Sequence, residues 1–102
     1  MTDGAGSTEF TGLALSDFDG LVGTSFTIQT EAGEQELVLG VAQEIAGSLR
    51  PEGGFRLEFH GPTEPRLPQS IYTFSIGGAL HDIFVVPIGA GQGYLRYEAV
   101  FF

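Results

Sequence analysis

The sequence contains no cysteine. Disulfides, thiolate nucleophiles and cysteine-ligated zinc or iron–sulfur sites are thereby excluded. Lysine is absent too, and the only cations are Arg50, Arg56, Arg66 and Arg96. With lysine go Schiff-base chemistry and the lysine-bearing phosphate loop. Asparagine is missing as well, which removes N-glycosylation acceptors and Asn-Gly turns and leaves tight hairpins to glycine. No apolar run approaches the roughly 20 residues that cross a bilayer, so no membrane insertion is expected. Met1 to Thr8 are polar, without a basic or an apolar region of the signal-peptide kind. The expectation is a product without a signal peptide, made in the cytoplasm, whether or not it is later displayed on the cell surface or in an extracellular assembly.

Positive charge is scarce. Thirteen acids against four arginines give a formal charge of −9. Phosphate binding requires the opposite sign, so no nucleic-acid partner is expected, and an anionic membrane surface is disfavoured for the same reason. The excess is uneven: residues 1–51 hold eight acids and one arginine, residues 52–102 five acids and three arginines. Solubility accounts for such a charge; a cationic partner, bound cations or a high-salt habitat are the sharper readings.

What the chain has is bulk to bury. Its 102 residues fit one domain, with 42% hydrophobic residues and nine phenylalanines. Residues 1–12, rich in Gly, Ser and Thr, read as a flexible arm whose one large apolar residue is Phe10. Leu13, Leu15 and Phe18 open the packed domain of residues 13–102, with a short helical turn before Gly20. Beyond Thr24 the apolar period is 2. Phe26 and Ile28 mark one strand; Leu37, Leu39 and Val41 the next; Phe55, Leu57 and Phe59 a third; Tyr72, Phe74 and Ile76 a fourth. Ile83 to Val86 is apolar without alternation, which predicts a strand covered on both faces. Tyr94 to Phe102 forms the last strand. Glu31 to Glu34, Gly77-Gly78 and Gly89 to Gly93 are turns, Ala42 to Gly54 is a longer connection, and the proline-rich stretch Gly61 to Pro68 is a stiff crossing. The expected fold is all-β: a small single-domain antiparallel barrel or sandwich of about six strands with an N-terminal arm.

Candidate chemistry is thin. Glu58 and His60 share one strand face and His81 precedes Asp82, but a zinc site would need the two pairs brought together. His60 with a serine and an acid could sketch a triad, yet no Gly-x-Ser-x-Gly elbow supports one. Asp17-Phe18-Asp19-Gly20 opens like a calcium loop and lacks its later ligands, so a helix cap and turn explain it better. Gly89-x-Gly91-x-Gly93 precedes a strand and not a helix N-terminus, which leaves a phosphate unheld. Carboxylate pairs for glycoside hydrolysis would need a cleft that a barrel this small hardly offers. Tyr72, Tyr94 and Tyr97 suit a sugar platform, but alternating strand aromatics are more often core. Glu98, an acid within an apolar strand, requires a partner among Arg56, Arg66 and Arg96.

Five ordered segments carry a family resemblance: Leu21-Val22-Gly23-Thr24-Ser25-Phe26, Leu57-Glu58-Phe59-His60-Gly61-Pro62, Leu67-Pro68-Gln69-Ser70-Ile71-Tyr72, Phe84-Val85-Val86-Pro87-Ile88-Gly89 and Tyr97-Glu98-Ala99-Val100-Phe101. Over residues 18–102 the chain resembles a family of small bacterial domains of unknown function. The resemblance implies a setting near phage-tail-collar-like fibre proteins and brings no catalytic residues. The function expected is a non-enzymatic structural subunit, without cofactor or metal, that self-associates into a homo-oligomer or filament. Its arm, with Phe10, Leu13 and Leu15 as apolar anchors, would dock on a neighbouring copy, and a tail-collar-like fibre protein is the other partner implied. The rival is a monomeric domain that binds a ligand or protein through its loops, favoured by an apolar pocket lined by Tyr72 or Tyr94. Hydrolysis has the least support in the residue inventory.

Overall fold

The computed structural model describes residues 13–102; the arm assigned to residues 1–12, with Phe10, lies outside them. Six strands follow a short 3-10 helix, Leu15–Asp17: β1 Ser25–Thr30, β2 Gly33–Ile45, β3 Gly54–Gly61, β4 Ser70–Ile76, β5 Ala79–Ala90 and β6 Leu95–Phe101. They close into a barrel in the order β1-β2-β3-β6-β5-β4, with every neighbouring pair antiparallel. Closure is what decides between barrel and sandwich, and it leaves the sheet without an open side. The seam between β1 and β4 is short, formed by Ile28 opposite Phe74 and Gln29 opposite Thr73. No helix among the described residues is long and apolar enough to cross a membrane.

Alternation places the core. Phe26 and Ile28, Leu37 and Leu39, Phe55, Leu57 and Phe59, Tyr72 and Phe74, Ile83 and Val85, and Tyr97, Ala99 and Phe101 are all buried inside. One inward assignment fails. Between Leu39 and Val41 the β2–β3 register slips by a residue, so Gly40 is a bulge. One extra residue reverses strand parity. Val41 therefore lies opposite the outward Glu58, while Ala42 packs against the core. The strand also runs on to Ile45, so the connection to β3 is shorter than Ala42 to Gly54.

A second correction concerns β5. Ile83 and Val85 are buried, but Phe84 is 40% exposed, so this strand is not covered on both faces. A closed barrel gives each strand one interior face, and apolar composition alone cannot say what lies outside. The other turns fall near their expected places, and the Gly77-Gly78 hairpin uses positive φ at both residues (58° and 85°), as a two-residue hairpin turn of this hand requires. Strand β5 continues through Gly89 to Ala90, leaving Gly91–Tyr94 as the turn to β6, closed by the Gly91 N–H donating to the Tyr94 carbonyl at 2.9 Å.

Each end of the barrel is plugged. At the base Phe18 is fully buried against Phe26, Phe55 and Phe101, and the last two rings stack at 4.3 Å. The Arg50 side chain, only 4% exposed, lies over the Phe55 and Phe101 rings. It donates to the carbonyls of Gly53 (2.6 Å) and Leu13 (2.9 Å), tying the first segment to the β2–β3 loop. Leu13 is buried in this core and Leu15 packs against it. At the opposite rim the crossing from β3 to β4 is pinned by two hydroxyls. Tyr97 accepts the Leu67 N–H at 3.0 Å, and Tyr72 donates to the Pro68 carbonyl at 2.5 Å.

Candidate functional site

Two surfaces concentrate polar chemistry: a charged panel on the outer wall of β3 and β6, and a pair of hollows on the rim.

The panel follows from register. Glu58 lies directly opposite Glu98, and His60 opposite Arg96. Two facing carboxylates repel, so cations must bridge them. Arg96 grips Glu58 with Nε (2.9 Å) and Nη2 (3.0 Å), and Arg56 donates from Nη2 to the same carboxylate at 3.1 Å. Arg56 also reaches Glu98 through Nε at 2.6 Å and Gln43 through Nη1 at 3.2 Å. The expected arginine partner of Glu98 is therefore Arg56. His60 Nε2 lies 3.0 Å from Glu58 Oε2. The Arg96 hydrogen bonds, helped by His60 and Arg56 and opposed by burial, hold the Glu58 carboxyl down at about 2. Glu58 is thus an ionised acceptor near neutral pH, with its lone pairs committed to neighbours.

Beside it two rings are stacked between two glycines. The His60 and Tyr94 rings lie 4.2 Å apart. A Cβ on Gly40 would come within 2.3 Å of the His60 ring, and one on Gly91 within 2.2 Å of Tyr94. Gly40 thus serves twice, as the bulge and as the floor of the His60 ring. Gly40→Ala is expected to lower stability by about 1–3 kcal/mol through overpacking. Urea denaturation measures that loss, and the NMR ring-current shift that Tyr94 imposes on His60 should collapse with it.

The other sequence candidates scatter. His81 sits on β5 opposite Phe74 of β4, while Asp82 accepts the Thr73 hydroxyl at 2.7 Å. β3 and β5 are not neighbours, so the two histidine pairs are not brought together. Among the described residues no cluster of three or more His, Asp or Glu is arranged to hold a metal. Asp17 serves as a cap, accepting the Ala14 N–H at 2.8 Å. Tyr72 and Tyr97 belong to the core and Tyr94 to the panel, so the three form no common platform.

The rim was not legible from spacing. A hollow of about 270 Å³ lies between the β1–β2 turn and the crossing loop, lined by residues that include Glu31, Ala32, Arg66, Leu67 and Tyr72. Arg66 borders a second hollow, of about 210 Å³, with Pro87, Gly89, Ala90 and Leu95. Arg50, Arg56 and Arg96 are each ion-paired. Arg66 is exposed and, among the described residues, has no ion pair or hydrogen bond to its side chain. Loop residues distant in sequence meet here only because the barrel closes.

Fold and surface together define a six-stranded closed antiparallel barrel with plugged ends and a salt-bridged outer panel. The family model described as "Domain of unknown function (DUF6916)" matches residues 13–101. The chain belongs to this family. No curated protein and no solved structure matches it.

Proposed function

We propose that this domain is a non-enzymatic structural subunit that associates with copies of itself through the outer wall of β4, β5 and β6. The observation that carries the proposal is the apolar wall. Ile71 of β4 stands directly opposite Phe84 of β5, and they are 44% and 40% exposed. Val86 of β5 pairs with Glu98 of β6, two residues from Phe84 on one strand and two from Val100 on the other. Val100 and Leu80 are also exposed.

The charge distribution favours a second copy as the occupant. Glu31, Glu34, Glu36 and Glu44 project from β2 and its turn, on the far side of the barrel. On β3 and β6, Glu58 and Glu98 are matched by Arg56 and Arg96, which leaves Asp82 of β5, bonded to the Thr73 hydroxyl, as the one acid of this wall without an ion pair among the described residues. A copy carrying the same −9 charge meets least repulsion there. The motif resemblance adds a bacterial, surface-fibre setting of the phage-tail kind, with a tail-collar-like protein as the further partner, and the arm of residues 1–12 would reinforce the contact.

Sedimentation velocity of the full chain over a range of salt concentrations is the test. Association should strengthen as salt screens the net charge. The Ile71→Ser, Phe84→Ser double variant should stay monomeric while keeping its β-type circular dichroism. A wild-type chain that remains monomeric at high salt, or a double variant that associates as well as wild type, would reject the proposal. The hollow lined by Tyr72 favours the second reading, a monomeric module that binds through its rim.

A further inference from the structure

We infer that the rim is a docking site, centred on Arg66, for an extended segment of a partner protein that carries one acidic residue between two apolar ones on the same face. The site is separate from the self-association wall and does not depend on it. Its basis is the arrangement of two hollows that share a single lining residue. The larger, about 270 Å³, has an apolar floor from Leu67, Pro68 and the Tyr72 ring. The smaller, about 210 Å³, is shaped by Pro87, Ala90 and Leu95. Arg66 is common to both, and its guanidinium is committed to no other described residue.

An arginine without an ion pair among the described residues is notable in a chain with thirteen acids. Every other arginine has found a carboxylate, and Glu31, on the same hollow, is not within ion-pairing distance of Arg66. The Arg66 guanidinium therefore complements an acid brought by the ligand, and its fork suits a carboxylate bidentately. The flanking hollows ask for apolar groups on either side. In an extended segment, alternate residues point the same way and advance by about 6.5 Å per pair. The pattern apolar-x-acid-x-apolar then places one carboxylate at Arg66 and one apolar side chain in each hollow. Glu31, in the lining of the larger hollow, disfavours a second acid there. The crossing loop under the segment is already stiff, held by its prolines and by the Tyr72 and Tyr97 hydroxyls, so little ordering is required of it.

The test titrates the isotopically labelled full chain with acetyl-Gly-Leu-Thr-Glu-Thr-Leu-Gly-amide, followed by amide NMR. Saturable shifts at Arg66, Leu67, Ala90 and Leu95 are expected. Replacing the peptide's Glu by Gln, or Arg66→Ala in the protein, should weaken binding by up to about fivefold, the value of one exposed charge pair. The Arg66→Glu variant should reverse the preference and favour a Lys peptide over the Glu peptide. No saturable shift at millimolar peptide, equal affinity for the Glu and Gln peptides, or shifts confined to Ile71 and Phe84 would each overturn the inference. Loss of self-association on adding the peptide would give the rim to a second copy and overturn the assignment to a partner.

Discussion

Phe59→Ala is expected to lower the unfolding free energy by about 3–5 kcal/mol, the range for truncating a buried phenylalanine. Phe59 has no exposed surface and sits where two sides of the barrel meet. Its ring meets Phe26 of β1 edge-on at 6.2 Å and Phe74 of β4 at 5.1 Å. β1 and β4 form the short seam that closes the barrel, so Phe59 braces that seam from within. Truncation leaves a cavity that the surrounding rigid strands cannot fill. The urea midpoint should fall sharply, and a natively stable domain of this size could be left largely unfolded. A midpoint equal to wild type would mean that Phe55, Leu57 and Phe59 do not face inward.

Glu58→Gln is expected to cost about 1–3 kcal/mol at neutral pH, because Arg96, Arg56 and His60 would lose the charge they converge on. The two arginines keep partial access to water, which moderates the loss. Glu58 titrates at about 2 in the folded chain, below its ordinary 4.5. The folded state therefore binds its proton more weakly than the unfolded state does. The stability it contributes is complete above about pH 4.5 and is lost as the pH falls towards 2. Wild type and Glu58→Gln should accordingly differ most near neutrality and converge in strong acid. Urea midpoints measured from pH 7 to pH 2 test this. A constant gap between the two proteins across that range would show that Glu58 does not titrate out of its pairing.

Much of the barrel can be read from residue order because strand alternation is a local property. Phe55, Leu57 and Phe59 announce their phase whatever surrounds them, and Tyr72 with Phe74 does the same. Glu98 could be read as needing an arginine, since a carboxylate among apolar neighbours is costly unpaired. Alternation fails where the chain departs from regular pairing. At Gly40 the bulge reverses the side on which Val41 falls, and a lone glycine within a strand was the available sign. In β5 the apolar Phe84 promised burial that the closed sheet does not supply.

Local residue order settled the all-β class of the fold, the inward-facing positions of most strands, the turns that only glycine can make, and the exclusion of thiol and lysine chemistry. Each rests on residue identity or on a period of two, and neither needs a distant partner. Long-range strand pairing set which charges meet and which surfaces are left over. Arg56 lies 42 residues from Glu98, and Arg96 lies 38 from Glu58. The β3–β6 register brings them within hydrogen-bonding distance, and barrel closure sets the β1–β2 turn beside Arg66. Register and closure are collective outcomes of the whole core, so no local stretch of residues announces them.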